Sequence, residues 1–215
     1  MTEKEDEIRW LEYLYPGTNV LKNKYNCKDY IKLKEIEVNI TFEKLVELRK
    51  KKLYFVFDKN YLKEIHRYLF NDIYDFAGQY RKVNLTKAKG NFLNIQDESD
   101  FDEYLDQLFN SINQELNNCY SKYQFCDILS KLYTKLIYCH PFREGNGRSI
   151  REFIREFSIA KSQERGFGKL ELDWKLIDKD SLNQYIEVAH LFPGLTTEIF
   201  NNALVPVNVD TPKTI

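Results

Sequence analysis

Apolar residues recur at three- and four-residue intervals along most of this chain, the repeat of helices that each bury one stripe. Between 4 and 14 (KEDEIRWLEYL), Ile8, Leu11 and Leu14 share a face, and acids gather in the first turn. Pro16 and Gly17 then break the pattern. A second helical stretch covers about 28–50, with an interruption expected at the β-branched VNIT of 38–41, where Thr41 would serve as a new N-cap. The apolar run LYFVF at 53–57 reads as a short strand or extended entry. Asn60 would cap a helix over 60–76, in which Leu62, Ile65, Leu69 and Ile73 form one stripe, ended by Gly78.

From 80 to 96 (YRKVNLTKAKGNFLNIQ) side chains alternate around a turn at Lys89-Gly90-Asn91, the pattern of a β-hairpin. Helical spacing returns at 98–117, capped by Ser99 or Asp100, and at 124–139. In the latter Ile128, Leu129, Leu132, Leu136 and Ile137 define a face wide enough for a central, buried helix. A break at 140–147 precedes a helix of about 148–164 that Gly166 and Gly168 end, and two more follow near 180–191 and 195–203. The tail from Val205 has two prolines and no helical period, so it is expected to be mobile. The pattern predicts one mainly α domain over 1–204 with a single hairpin, and a 205–215 tail.

Composition agrees with helices: five Pro and eight Gly are few for an all-β chain of 215 residues, and 15 Tyr with 15 Phe supply a core. The 32 basic and 33 acidic side chains nearly balance, which gives no general basic surface for nucleic acid or an anionic membrane. The four cysteines (27, 119, 126, 139) form no CxxC pair and read as buried, reduced thiols. The charged start, MTEKEDEIRW, is unlike a signal peptide, and no apolar run reaches transmembrane length, so a cytoplasmic protein is expected.

One stretch changes the picture. HPFREGNGRSIREF (140–153) compresses a histidine, two glycines, an asparagine and three arginines into fourteen positions. Pro141 disfavours helix at His140, so the preceding helix should stop there. Gly145 and Gly147 flank Asn146, which permits a tight, anion-cradling backbone. The next helix would begin beside it, aiming unpaired N–H groups at the same space. Arg148, Arg151 and Arg155 follow along one side of that helix. His140 suits a general base and Glu144 a one-carboxylate Mg²⁺ ligand, so the set describes transfer of a phosphorus-centred group to a hydroxyl. Taken singly, each has a commonplace reading: a structural histidine, an ion-paired helix face, a glycine loop.

The stretch resembles in full the signature of Fic-domain proteins, HxFx(D/E)GNGRxxR. YLKEIHRYLFNDIYDFAGQYR (61–81) is similar to the family's helix leading into its flap, and YPGTNVLKNK (15–24) to the entry of bacterial members. The resemblance implies a Fic-type helical core with one β-hairpin flap. It implies AMPylation: AMP passes from ATP to a target hydroxyl, with Mg²⁺ as cofactor and pyrophosphate released. His140 would be the base and Glu144 the metal ligand. Gly145, Asn146 and Gly147 would cradle phosphate, Asn146 reaching the α-phosphate, while Arg148 and Arg151 would bind the β and γ phosphates. Phe142 would lock the loop from the core, and Arg155, outside the motif, would be solvated or ion-paired.

The flap would dock the target by strand addition through Lys87, Lys89, Gly90, Asn91 and Phe92. Its usual Phe-x-Pro-like ending appears here as Phe92-Leu93-Asn94. Many members restrain the second motif arginine with the Glu of an internal (S/T)xxxE(G/N) helix. The only Glu followed by Gly or Asn here is Glu144 itself. The resemblance therefore implies that Arg151 is unrestrained, or is paired by a Glu from a small separate antitoxin. The implied targets are type II topoisomerase subunits. Relatives that transfer UMP, phosphate or phosphocholine keep other donors open. The kinase-like branch has lysine in place of Gly147, which disfavours phosphate, and a non-catalytic nucleotide-binding module has little need of His140.

Overall fold

The computed structural model describes residues 2–51, 56–87, 90–188 and 196–207. The helices are α1 (Glu3–Glu12), α2 (Tyr30–Leu48), α3 (Lys59–Phe70), α4 (Ser99–Asn117), α5 (Lys122–Cys139), α6 (Asn146–Glu164), α7 (Lys179–Val188) and α8 (Thr197–Ala203). Two antiparallel pairs accompany them: β1 (Thr86–Lys87) with β2 (Gly90–Asn91), and β3 (Leu170–Leu172) with β4 (Leu204–Pro206).

The expected central helix is α5, which packs against α4, α6 and α8, while α6 packs against α3 and β3. Phe125, Leu129, Leu132 and Leu136 of α5 are fully buried, as are Phe153 and Ile154 of α6. A capping box starts α5: Gln124 N–H donates to Ser121 Oγ (3.2 Å), and Ser121 N–H donates to Gln124 Oε1 (3.1 Å). The far face of α6 receives β3 through two serines, with Leu172 N–H donating to Ser158 Oγ (3.0 Å) and Leu170 N–H to Ser162 Oγ (2.9 Å). At the other end Arg143 lays its guanidinium 4.0 Å from the Trp10 ring centre, which fastens α1 beside the 140–147 loop.

Several expectations change. α2 runs unbroken through 38–41; its N-cap is Asp29, and Thr41 sits mid-helix with its hydroxyl donated to the Glu37 carbonyl. Asp58 rather than Asn60 caps α3, which ends at Phe70; 71–79 is a series of turns. On α1 only Leu14, just beyond the helix, is buried, while Ile8 and Leu11 face solvent. The first sheet pairs Thr86 with Asn91 and Lys87 with Gly90, so Gly90 and Asn91 are strand residues and not the turn. Lys89 lies outside the described residues, as do 53–55 of the expected strand, 189–191 of the expected seventh helix and 208–215 of the tail. A second sheet was not anticipated, and it takes Val205 and Pro206 into β4.

Candidate nucleotide-binding site

α5 stops at Cys139 because His140 turns left-handed (φ 45°, ψ 58°), a conformation that costs a non-glycine residue about 1–2 kcal/mol. Arg81 secures it. Its Nε donates to the His140 carbonyl (2.8 Å) and its backbone N–H to the Pro141 carbonyl (2.8 Å). The turn aims His140 Nδ1 at the Ile137 carbonyl, 3.2 Å away, which places the proton on Nδ1 and leaves the neutral ring's acceptor lone pair on Nε2. The imidazole packs on the Phe92 ring with centroids 4.1 Å apart.

Phe142 is fully buried, stacked on the His66 ring at 3.9 Å. His66 is itself a lock. Gly78 N–H donates to its Nδ1 (2.8 Å), so the proton sits on Nε2 and is donated to the Glu144 carbonyl (2.9 Å). Burial pushes the His66 pKa down to about 4, so this neutral arrangement persists at neutral pH. Asn146 closes the loop on itself: Phe142 N–H donates to its Oδ1 (2.9 Å), and its Nδ2 donates to the Phe142 carbonyl (2.6 Å). One Nδ2 hydrogen remains beyond that bond.

Gly145 has φ 80°, and a Cβ there would lie 2.3 Å from Phe70 Cζ, so only glycine fits. It is the N-cap of α6 and supplies no side-chain cap, and the first turn carries no acid. The N–H groups of the helix's first turn therefore take no side-chain cap, and a single carboxylate, Glu144, stands just before them. Gly147 lies within the helix, and Arg151 folds back toward it, Nη1 3.2 Å from where a Cβ would stand. Arg151 lies close enough to the buried Tyr133 to favour its ionised form, and among the described residues no carboxylate lies within 4 Å of it.

Arg148 is held firmly by residues outside the motif. Its Nη2 lies 2.8 Å from Glu37 Oε2, its Nη1 donates to Thr41 Oγ1 (3.3 Å), and its guanidinium sits 4.6 Å from the Phe70 ring centre. Glu37 is 1% exposed and also accepts from the Tyr74 hydroxyl and from Lys34 Nζ (3.1 Å). Glu144 stands at the mouth, with Oε1 accepting from Gly145 N–H (3.1 Å) and Oε2 3.6 Å from Lys34 Nζ. Among the described residues no cluster of three metal-ligating side chains exists. A single part-exposed carboxylate fits Mg²⁺ only if ligand oxygens complete the shell, the usual arrangement for that ion with a polyphosphate.

The loop thus brings together His140, Glu144, Gly145, Asn146, Gly147, Arg148 and Arg151. Arg155 diverges: it is buried behind α6, paired with Glu152 at 2.7 Å, and Glu152 also binds Arg49 at 2.8 Å. Burial opposes ionisation of Glu152, but Arg155 and Arg49 outweigh it and hold its carboxyl below the usual range. Arg148 does not pair with Glu152 along the helix; it reaches α2 instead. In the hairpin, Lys87, Gly90 and Asn91 occupy the paired strands, and Phe92 reaches His140. Sequence reasoning missed Lys34, Glu37, His66 and Arg81. A usable signal existed for Glu37 and Thr41, which follow Leu33 at four-residue steps on the buried line of α2.

Comparison with known proteins agrees with this geometry. Residues 56–158 match the Fic/DOC family. A protein adenylyltransferase of Bartonella schoenbuchensis, VbhT, is 28% identical over 80% of the chain, which spans 34% of that relative's length. A probable protein adenylyltransferase of Sinorhizobium fredii is 30% identical, with 73% of this chain aligned to 80% of the relative. Among solved structures, BepC of Bartonella tribocorum with bound AMPPNP superposes with a TM-score of 0.75 at 26% identity, covering 92% of this chain and 98% of that one. The Fic domain of a Bartonella quintana effector with bound ADP gives 0.76 at 26% identity, covering 91% and 95%. The family match spans the 140–151 stretch, sequence and fold likeness extend over most of the chain, and the chain belongs to the Fic/DOC family.

Proposed function

We propose that this protein is an adenylyltransferase that moves AMP from ATP to a hydroxyl side chain of another protein. The observation that carries the reading is the placement of His140 at the head of the loop that leads into α6, with Nδ1 at a backbone carbonyl so that Nε2 is the basic nitrogen. The target hydroxyl oxygen attacks the α-phosphorus and gives its proton to His140 Nε2. The bond from the α-phosphorus to the bridging oxygen breaks, and pyrophosphate leaves. The backbone of Gly145, Asn146 and Gly147 cradles phosphate, Asn146 reaching the α-phosphate with its remaining amide hydrogen. Arg148 and Arg151 neutralise the β and γ phosphates. Glu144 would hold Mg²⁺, which when bound supplies charge neutralisation on the leaving pyrophosphate. The adenylyltransferase names of the relatives, and the AMPPNP and ADP in the two structural neighbours, support the donor.

Target docking is assigned to the hairpin about Lys87, Lys89, Gly90, Asn91 and Phe92, by strand addition to its short edge. An Arg151 with no carboxylate partner among the described residues suits control by a Glu from a separate small antitoxin, which makes this chain the toxin of a pair. Type II topoisomerase subunits are the proposed targets, and use of ATP favours the cytoplasm. Among the described residues no helix is long and apolar enough to cross a membrane.

The test incubates the purified chain and its His140→Ala variant with α-³²P-ATP or γ-³²P-ATP in cell lysate. Protein label from the α position, lost by about a hundredfold or more in the variant, is the expected result. Label from the γ position would make the chain a kinase, and no label from either would leave a binding module.

A further inference from the structure

Arg81 has no place in the motif, is 0% exposed, and has no carboxylate within ion-pairing distance among the described residues. A buried guanidinium without a counter-charge is costly unless its donors are spent on polar groups. Here they are spent on backbone. Nε donates to the His140 carbonyl (2.8 Å) and Nη2 to the Cys139 carbonyl (3.4 Å), while the Arg81 N–H takes the Pro141 carbonyl (2.8 Å). Three consecutive carbonyls around His140 are thereby held by one residue. The other edge of the fork reaches the base of the hairpin, Nη1 to the Val83 carbonyl (2.6 Å) and Nη2 to the Leu93 carbonyl (2.6 Å).

The two limbs of the hairpin are tied to each other at the same level, where Ile95 N–H donates to Asn84 Oδ1 (2.8 Å) and Asn84 Nδ2 donates to the Ile95 carbonyl (3.2 Å). Leu93 N–H also donates to the Tyr138 carbonyl at the end of α5 (3.0 Å). The Arg81 guanidinium carbon lies over the Phe101 ring, 4.8 Å from its centre, which backs the fork. One rigid group therefore spans both limbs of the hairpin and the left-handed turn that aims the imidazole.

We infer that Arg81 is a positioning residue: it sets the orientation of the His140 imidazole and links it to the placement of the hairpin. The inference rests on reading His140 as the base and the hairpin as the docking strand. Arginine is required because a planar fork satisfies carbonyls on two sides at once. A lysine ammonium keeps the charge but is a point donor that reaches one side. With the fork gone, the backbone bonds from residue 81 to the Pro141 carbonyl and from Leu93 to the Tyr138 carbonyl remain. The carbonyls of 139 and 140 are released from the hairpin base, and the imidazole loses its fixed orientation. Nucleotide binding, which uses the start of α6 and Arg148, stays intact.

The experiment compares the full chain with Arg81→Lys and Arg81→Gln, each checked for folding by circular dichroism melting. AMPPNP affinity is measured by calorimetry. The rate of label transfer from α-³²P-ATP to lysate protein is followed at saturating ATP across pH 5.5–8.5, and the His140 ring signals are titrated by NMR without nucleotide. The expected result for Arg81→Lys is AMPPNP affinity within about threefold, a labelling rate at least about tenfold lower, a displaced acidic limb of the pH profile, and shifted His140 signals. A folded variant with unchanged ring signals and a rate within twofold overturns the inference, as does a rate loss matched by equal loss of AMPPNP affinity. If Arg81→Lys does not fold, Arg81→Gln decides by the same criteria. His140→Ala runs alongside: full labelling in that variant would sink the assignment of the base, whereas the ring signals judge Arg81 without reference to the reaction.

Discussion

Gly145 and Gly147 occupy equivalent places in the GNG loop by sequence, yet they should respond oppositely to alanine. At Gly145 (φ 80°) a Cβ would stand 2.3 and 2.4 Å from two carbons of the Phe70 ring. That ring cannot retreat: it is fully buried, stacked with His66 at 4.8 Å, and backs the Arg148 guanidinium at 4.6 Å. A left-handed alanine costs about 1–2 kcal/mol, and forced overpacking adds about 1–3 kcal/mol. Gly145→Ala should therefore lose about 2–5 kcal/mol in urea unfolding at pH 7. Gly147 has no positive φ, and its Cβ would meet the far end of Arg151 at 3.2 Å. Alanine there regains helix propensity of about 0.5–1 kcal/mol, so stability should hold or rise while the displaced Arg151 weakens AMPPNP binding.

A double-mutant cycle separates the two parts of the Gly145 cost. Phe70→Leu makes room for the Cβ but leaves φ unchanged, so the double variant should recover only the overpacking part. The coupling expected is about 1–3 kcal/mol in favour of the pair, against the 0.5 kcal/mol within which independent changes add. Additive losses would refute the contact, and a Gly147→Ala as unstable as Gly145→Ala would refute the distinction between the glycines.

Glu37→Gln leaves Arg148 without its buried partner; since Arg148 is part-exposed, a stability loss of about 1–3 kcal/mol is expected in thermal melts, with AMPPNP affinity falling by about tenfold in calorimetry. Unchanged affinity would remove Glu37 from the site. Burial raises the pKa of Glu156, so the folded chain keeps that proton at pH values where the unfolded chain has released it. Stability from this group is greatest in acid and declines as pH rises above the usual glutamate range. Glu156→Gln, which can still accept from Tyr61, should gain on the unmodified protein in melting temperature between pH 4 and 7, and a constant difference would contradict this. Burial pushes the Cys126 thiol up to about 11 and the Cys139 thiol up to about 12. Cys119 is buried as well, so one thiol, Cys27, should react quickly with Ellman's reagent in the native protein and all four after unfolding.

The helical plan was legible because most helices here carry a one-sided apolar stripe, and the motif was legible because its chemistry is contiguous. α2 shows where that reading fails. Its apolar Ile31, Val38 and Phe42 are 70%, 60% and 46% exposed, whereas Glu37 and Thr41 are buried. Hydrophobic pattern alone puts this helix the wrong way round, since its inner face is spent on Arg148. The expected break at VNIT failed for a related reason: β-branched residues weaken a helix only slightly, and packing of α2 on α3 overrides them. Arg155 went the other way. Its spacing from Arg148 suggested a shared face, but seven residues carry it past the end of the site and into a buried pair with Glu152. The β3–β4 pair was invisible because each strand has three residues, too few to show alternation, and they are far apart in sequence.

The signature shapes itself only in part: Asn146 ties the Phe142 backbone, but the rest of the loop is fixed from elsewhere. Three anchors from earlier in the chain do this: Arg81 takes the carbonyls of 139–141, His66 takes the carbonyl of Glu144, and Glu37 takes the Arg148 guanidinium. Orphaning a buried polar group costs about 1–3 kcal/mol, so losing all three would forfeit several kcal/mol, comparable with the 5–15 kcal/mol that holds a domain folded. The loop is accordingly tied down at three points, whereas among the described residues the hairpin beside it pairs two residues of each strand. On the proposed reading of the hairpin as the docking strand, the two jobs divide: the fixed loop would set nucleotide geometry and the hairpin would meet the target, with Arg81 as the joint between them. Twelve residues of motif grafted between two other helices, without counterparts of Glu37 and His66, would carry the chemistry in name and bind nucleotide weakly at best, and without a counterpart of Arg81 they would hold the base in no fixed orientation.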